Sequence, residues 1–316
     1  MMQICVVDLI FKNTTKENKM KKKISFSTQG QRADIGHITI YRMLPNRYTD
    51  AVGPFVFLDH FGPTKHAINE HIQKNGNGAH PHRGIATLTY ILNGEEEHFD
   101  SKGNYGKINS GGIQWMKAGN GIVHDGNLNV DPQTNDRLTH GFQFWINLPS
   151  KNKAESPQHL AIQANEVPQK MLGDDKGWIK VIAGEYENLA SKIPNYSKQF
   201  LYHIHLEAGK QFSIITEGGL EYAALLPLQN AVINDSEYQK GEFIEFDRNE
   251  GTIEIGNDSE TPIDIILFGG EKYAEPIVAQ VPFVMNTQHE IAQAYRDFHA
   301  GKYGEIKYNQ ASAQTN

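Results

Sequence analysis

The sequence predicts an all-β protein built as a duplicated barrel. Short β-type runs recur along its 316 residues, and turn-forming pairs such as Asn93-Gly94 and Gly111-Gly112 separate them. This pattern is typical of sandwiches and barrels. The runs fall into two successive sets of similar length, on either side of a polar, proline-bounded stretch from Pro149 to Pro168. Because a domain commonly has roughly 150 residues, we expect two domains joined at residues 151–168.

The strands that we predict in the first half, residues 20–150, are His37–Met43, Phe55–Leu58, Thr87–Leu92, Gly106–Ile108, Ile113–Met116, Ile122–His124 and Gly141–Leu148. The strands that we predict in the second half, residues 169–285, are Trp178–Ala183, Phe200–Leu206, Phe212–Ile215, Leu220–Leu226, Glu242–Phe246, Thr252–Ile255 and Ile263–Phe268.

One helix is predicted near the C-terminus, within residues 286–301. Thr287 and Glu290 have the spacing of a capping box, in which each side chain satisfies a free backbone N–H. Gly301 lies where a helix stop is expected. The apolar stripe that should pack on a barrel is Ile291, Ala294, Tyr295 and Phe298. A tail, residues 302–316, follows, and we expect its polar part after Tyr308 to be disordered.

The N-terminal segment has two interpretations. Residues 1–19 lack the basic start and the cleavage pattern of a secretory signal. They form either an upstream extension before a start at Met20, or a flexible tail. The only cysteine, Cys5, lies in this segment, so an intramolecular disulfide is excluded. We therefore expect a cytoplasmic protein.

Composition excludes several classes of protein. Thirty Lys and Arg against 37 Asp and Glu give a net charge of −7, which argues against a broad nucleic-acid surface. No apolar run approaches the ~18 residues of a membrane helix. We expect a monomer that binds no nucleic acid and no membrane.

Histidine is unusually concentrated. Eight of the 14 histidines fall in one part of the chain: His60, His66, His71, His80, His82, His98, His124 and His140. In the His80-Pro81-His82 segment both imidazoles project to the same face of a strand. His124 ends a later strand after a glycine-rich turn. Three neutral imidazoles that converge inside a barrel would hold a divalent transition metal ion.

Other polar residues have competing interpretations. His98 and Asp100 share one strand face, and they either orient a metal ligand or belong to a solvated hairpin. We expect Glu95–Glu97 to form an exposed charged turn. His60 either lines the cavity mouth or is buried and hydrogen-bonded, and we favour the second.

A second histidine pair occurs at His203 and His205. The alternation of Phe200, Tyr202 and Ile204 places those apolar side chains inside the second barrel. We therefore expect His203, His205 and Glu207 to face solvent, without a metal.

Long motifs resemble those of the pirin family. They cover residues 35–304 and include the segments His80–Gly84, Thr89–Gly94, His98–Asn104, Gln114–His124, Leu58–Pro63, Gln143–Pro149, Gly269–Glu271, Glu275–Pro276 and Pro282–Asn286. The resemblance implies two cupin-type β-barrels, which are double-stranded β-helices or jelly rolls, facing each other. It also implies one metal site in the N-terminal barrel, where the family usually holds iron with three histidines and one glutamate.

Position by position, His80, His82 and His124 match the three family histidines. Gly126 stands where the family has its glutamate, and Ala86 and Thr87 occupy two further positions where a carboxylate is expected. Asp125 should point away from His124 by strand alternation unless a bulge intervenes. Without a carboxylate the three imidazoles leave the ion its full charge. We therefore expect weaker retention of iron(II), with zinc, nickel or copper as competitors.

The resemblance implies two classes of function. One is a quercetin 2,3-dioxygenase-like enzyme acting on a flavonol-like or other small aromatic or anionic substrate, with its catalytic base unassigned. The alternative is a metal-responsive regulatory module that binds a protein partner, in which Gly126 marks a degraded site. A metal-free remnant is a third possibility.

Overall fold

A computed structural model of the chain describes residues 20–35, 38–67 and 78–308. The predictions for residues 1–19 and Cys5, for His37, and for the end of the tail lie outside the described residues. The first strands are β1 (Ile24–Gln29), β2 (Gln31–Ile35), β3 (Ile38–Leu44), β4 (Phe55–Lys65), β5 (His80–His82), β6 (Ile85–Asn93), β7 (Glu95–Asp100), β8 (Tyr105–Ile108), β9 (Ile113–Lys117), β10 (Ile122–Asn129), β11 (Leu138–Asn147) and β12 (Gln158–Ile162).

The remaining elements are β13 (Gln169–Leu172), β14 (Gly177–Ala183), β15 (Glu185–Tyr186), β16 (Leu189–Ala190), β17 (Gln199–Leu206), β18 (Gln211–Thr216), β19 (Leu220–Leu225), β20 (Ala231–Ile233), β21 (Ser236–Tyr238), β22 (Glu242–Phe246), β23 (Gly251–Gly256), β24 (Ile263–Glu271), β25 (Val278–Gln280), β26 (Phe283–Met285) and α1 (Gln288–His299). Short 3₁₀ turns occur at Ser150–Asn152 and Ala164–Glu166.

The predicted all-β fold with a duplicated arrangement is confirmed. A seven-stranded sheet, β12-β9-β6-β11-β4-β3-β2, accompanies a four-stranded sheet, β5-β10-β7-β8. We call this pair the first jelly roll. The second jelly roll repeats the pattern with β1-β22-β19-β24-β17-β14-β13 and β18-β23-β20-β21.

Two segments cross between the jelly rolls. β1 precedes the first jelly roll in sequence but pairs with β22 of the second, with Ser27 opposite Ile244. In the other direction, the chain after β24 packs on the first jelly roll, where the Val284 N–H donates to the Arg83 carbonyl at 3.2 Å. The expected domain ranges, 20–150 and 169–285, stay a prediction, and these exchanged segments tie the two units together.

The largest apolar core lies between the two jelly rolls. Phe55 and Phe144 from the first and Phe268 from the second are fully buried and meet edge to face, with ring centroids 5.3–5.6 Å apart. Aromatic side chains bury large apolar areas, and such pairs add to that stabilisation. The inner faces of the two long sheets are therefore one shared core.

This shared core overturns one expectation. Ile204 and its apolar neighbours do fill the second jelly roll, but His203 does not face solvent. Its side chain is buried because the first jelly roll covers that face of β17, and its Nδ1 lies 2.7 Å from the Tyr90 hydroxyl. His205 and Glu207 are only partly exposed, and the His205 Nδ1 lies 2.8 Å from the Asp264 carboxylate.

The predicted C-terminal helix is confirmed with one half of its capping box, since the Glu290 carboxylate accepts from the Asn286 N–H and not from the Thr287 N–H. The Thr287 side chain accepts from the Glu290 N–H, and α1 buries Ile291 and Ala294. Asp297 on this helix forms an ion pair with Arg83, at 2.7 Å, which fixes α1 on the first jelly roll. Within the described residues no helix is long and apolar enough to cross a membrane.

One local prediction fails. Glu95–Glu97 is not an exposed turn: it begins β7, with Glu95 and Glu97 buried, because β10 and β8 pair on its two sides. The stretch 151–168 contains β12, which pairs with β9 at the edge of the first long sheet. Its alternation is too short to be distinguished from a polar loop by sequence.

Candidate metal centre

Three histidines of the first jelly roll converge, with His80 exposed, His124 partly buried and His82 buried. His80 and His82 occupy alternate positions of β5, and His124 lies directly opposite His80 on the antiparallel strand β10. Strand alternation places all three side chains on one face. One nitrogen from each ring lies within 4.8 Å of the others, and no further carboxylate or histidine of the described residues completes this group.

The backbone fixes two of the ring orientations. The His80 Nδ1 lies 2.6 Å from the Gly78 carbonyl, and the His82 Nδ1 lies 3.0 Å from the Pro282 carbonyl. Because a carbonyl can only accept, each Nδ1 carries the proton and each Nε2 keeps its lone pair. Such outer hydrogen bonds commonly orient histidine ligands around a metal.

The donor set fits a divalent transition metal ion. The Nε2 atoms of His80 and His124 lie only 3.0 Å apart, and the His124 Nδ1 is buried without a partner. Burial lowers the pKa of His82 to about 3, and burial beside the other rings lowers the pKa of His124 well below its usual range. Neutral imidazoles that face one point are the form that binds a metal ion.

Aromatic and imidazole rings surround the cluster. Trp145 meets the His82 ring edge to face at 5.0 Å and is itself stacked on Phe57 at 4.2 Å. On the opposite side the His98 ring lies 5.4 Å from His124 and is stacked at 4.3 Å on His159. His98 is therefore buried beside the cluster and does not belong to a solvated hairpin.

The positions where the family resemblance leads us to expect a carboxylate face different parts of the molecule. Gly126 lies two residues from His124 on the same strand face, opposite His98. Ala86 instead belongs to the core between the jelly rolls, so a side chain there would not enter the site. Asp125 points away from His124, since β10 and β7 pair without a bulge, and its carboxylate accepts from the Tyr308 hydroxyl at 2.8 Å.

His60 is buried and hydrogen-bonded, as we favoured. Its Nε2 lies 2.8 Å from the Nε2 of His140. Both rings belong to the strand face that contacts the second jelly roll, because their neighbours Leu58 and Phe142 lie in the shared core. His60 therefore does not line the metal site.

Sequence reasoning missed three residues that lie in or near the histidine cluster. Pro282 reaches His82 from 200 residues away, and no local pattern predicts such a contact. His159 lies on the strand that was missed. Glu96, which we expected in an exposed turn, lies on β7 with its Oε1 3.4 Å from the position of a Cβ built on Gly126, and composition gave no signal for this contact.

Comparisons with known proteins agree with this architecture. Residues 37–146 match the family model described as Pirin, and residues 201–304 match the model described as Pirin C-terminal cupin domain. A Pseudomonas aeruginosa protein named "Putative quercetin 2,3-dioxygenase" is 31% identical over 252 residues, which cover 80% of this chain and 87% of that protein. Pirin from Rattus norvegicus is 33% identical over 232 residues, covering 71% of this chain and 76% of the rat protein.

A solved structure shares the whole fold. The crystal structure described as quercetin 2,3-dioxygenase from Acinetobacter baumannii aligns with a TM-score of 0.81 and 28% identity, covering 91% of this chain and 100% of that chain. The expected pair of cupin-type jelly rolls is thereby confirmed.

Proposed function

The chain belongs to the pirin family, and we propose that it is a metal-dependent dioxygenase whose ion is held by His80, His82 and His124. The convergence of three imidazoles from β5 and β10, two of them oriented by backbone carbonyls, carries this proposal. The relative from Pseudomonas aeruginosa and the structure from Acinetobacter baumannii, both named for quercetin 2,3-dioxygenase activity, support a small aromatic or anionic substrate. A cytoplasmic location and a monomeric state belong to the same proposal.

The bound ion would supply Lewis acidity and would orient a substrate oxygen. The protein contributes the rest. The carbonyls of Gly78 and Pro282 hold two ligand rings in the binding tautomer, and Trp145 with Phe57 forms an apolar wall that excludes water beside His82.

The three histidine ligands favour a divalent transition metal ion. Iron(II) is the family expectation, whereas three neutral imidazoles with no carboxylate also suit zinc, nickel and copper. Since the ion keeps its full positive charge at such a site, an anionic substrate oxygen would bind favourably next to it.

Two measurements test the proposal. The purified protein is loaded with iron(II) without oxygen, the metal is quantified by elemental analysis, and oxygen uptake is then followed with quercetin. We expect one ion per chain and quercetin-dependent uptake. The His124→Ala variant should lose both, while His205→Ala, in the second jelly roll, should keep both.

A fully metal-loaded protein that consumes no oxygen with quercetin would overturn the dioxygenase assignment, but it would still support the metal site. Metal binding that survives His124→Ala would overturn the ligand assignment. The alternative of a regulatory module is not favoured, because the Pseudomonas aeruginosa relative and the Acinetobacter baumannii structure are both named for quercetin 2,3-dioxygenase.

A further inference from the structure

A cavity of about 210 Å³ lies inside the first jelly roll, next to Gly126. Its walls are mostly apolar and come from β3, β4 and β10, through Ile40, Phe61 and Leu128. Its polar side is formed by Glu96, Thr89 and Gln143. Concave, largely apolar spaces with a few convergent polar groups are typical of small-molecule sites.

The cavity exists in part because residue 126 has no side chain. A Cβ built on Gly126 would lie 3.4 Å from the Oε1 of Glu96, and no other side-chain atom of the described residues would be within 4 Å. The carboxyl group of Glu96 therefore lies next to the space that a side chain at position 126 would enter. It reaches that space from β7, the strand paired with β10.

The Glu96 carboxyl group is incompletely satisfied. Its Oε2 is buried and has no hydrogen-bond partner among the described residues. Its Oε1 lies 3.2 Å from the Thr89 hydroxyl, which lies closer, at 2.8 Å, to the Oε1 of Gln143. A threonine hydroxyl has only one proton to donate, so it cannot serve both oxygens. Burial accordingly raises the pKa of Glu96 to about 8.

A buried polar atom without a partner is destabilising, and most buried polar atoms in native proteins have one. A ligand hydroxyl would remove this cost. It is both a donor and an acceptor, so it can pair with Oε2 whether the carboxyl group is ionised or protonated.

Two other ionisable groups lie near Glu96. Asp59 also lines the cavity, but its two carboxylate oxygens accept from Arg42. His98, two residues along β7, faces the Asp100 carboxylate at 3.3 Å. Both are already paired, so Glu96 is the ionisable group left for a ligand in this cavity.

We propose that Glu96 binds the hydroxyl group of a small aromatic ligand whose ring occupies the apolar cavity beside Gly126. Glu96 thus provides, from the neighbouring strand, a carboxyl group at a site where position 126 lacks one. The inference rests on the proposed function, since it assigns the substrate-contacting residue of the same jelly roll.

Phenol and toluene are matched probes for this proposal, because they share a ring and differ in the hydroxyl group. Their dissociation constants are measured by ligand-detected NMR with the metal-loaded full-length protein. We expect the wild type to bind phenol about tenfold more tightly than toluene, the equivalent of about 1.4 kcal/mol. Glu96→Met should abolish this preference, whereas Glu254→Gln, on the second jelly roll, should leave it unchanged.

Gly126→Ala provides a second test that keeps Glu96. The added methyl group narrows the cavity beside the carboxyl group, and it should weaken both probes. A phenol preference that survives Glu96→Met, or a wild type that binds neither probe, would overturn the proposal. Metal content measured on each variant keeps the two proposals apart, since Glu96→Met should retain the ion. A metal-loaded wild type that shows no preference for phenol would contradict only the role of Glu96, and a wild type that binds no ion would contradict the proposed function.

Discussion

The two jelly rolls have the same strand arrangement, but the side chains in their interiors differ in polarity. β10 and β23 each occupy the second position of a four-stranded sheet. On β10 the inward positions carry His124 and Gly126, whereas β23 has Ile253 and Ile255, both fully buried in an apolar core. The first jelly roll thus contains a cluster of imidazoles where the second contains a hydrophobic cluster.

This difference shows where function lies in a duplicated fold. The sheets provide the same frame twice, and only the inward side chains decide whether the interior binds or merely packs. In the first jelly roll the amide nitrogen and oxygen of Gln114 are buried without a partner among the described residues. Buried polar atoms normally have a hydrogen-bond partner, so water or a ligand in this interior would supply one. The filled second interior contributes stability and supports the first through the shared core.

The largest expected effect tests this support. Phe268→Ala removes a ring from the second jelly roll that packs against Phe55 and Phe144 of the first. We expect a loss of about 3–5 kcal/mol in the free energy of unfolding, the usual range for a buried phenylalanine. Urea unfolding followed by circular dichroism and by tryptophan fluorescence measures it.

The exposed Ile215, on the outside of the second jelly roll, is the control: Ile215→Ala should change stability by about 0.5 kcal/mol or less. The two probes should report one transition. Separate transitions for the two jelly rolls would contradict the view that they share a core.

A smaller effect concerns the buried histidine pair outside the metal site. Burial near His140 lowers the pKa of His60 to about 3, and burial lowers that of His140 to about 4. Both lie below the unfolded value of ~6.5, so the unfolded chain binds more protons in acid. Their contribution to stability is complete above pH 6.5 and is lost as the pH falls towards 4.

At pH 5 the loss should be about 2 kcal/mol per histidine. Urea unfolding at pH 7 and pH 5 measures this loss. The His60→Gln variant, which keeps a polar group beside His140, should lose about 2 kcal/mol less than the wild type over the same interval. An unchanged pH dependence in that variant would show that His60 is already charged in the folded protein.

The smallest effect sharpens the contrast between the two interiors. Gly126→Glu places a carboxylate on the strand face that carries His124, and we expect metal affinity to rise about tenfold, equivalent to about 1.4 kcal/mol. Competition with a chelator measures it. The gain should be larger in a Glu96→Gln background, since Glu96 would otherwise lie beside the new carboxylate. A lower affinity in that background would contradict the position assigned to residue 126.

Local sequence patterns predicted the features that depend on residues close together in the chain. The His80-Pro81-His82 segment and the start of β10 at Ile122 were predicted correctly, although β10 continues to Asn129 and does not end at His124. Strand alternation fixes which of these side chains share a face. The helix at residues 286–301 followed from its cap and its apolar stripe. Resemblance to a family, rather than spacing, supplied the pairing of two cupin-type units.

Contacts between distant segments were not predictable. His203 was expected in solvent because alternation describes the two faces of a strand and not what covers the outer one. The charged run at Glu95–Glu97 looked exposed by composition, and only the pairing of β7 with β8 and β10 buries it. The order of segments along the chain also hides that β1 belongs to the second jelly roll.

The contact between His82 and the Pro282 carbonyl has a consequence for the order of events during synthesis. Every residue of the first jelly roll's own sheets from β2 to β12 is made before the ribosome reaches Pro282, yet the His82 ring is oriented only when that late segment docks. Domains generally fold as units during synthesis, the N-terminal one first. Here the histidine cluster gains its last orienting contact from a segment 200 residues after His82, so a product truncated before Pro282 would contain all three histidines without the hydrogen bond that orients one of them.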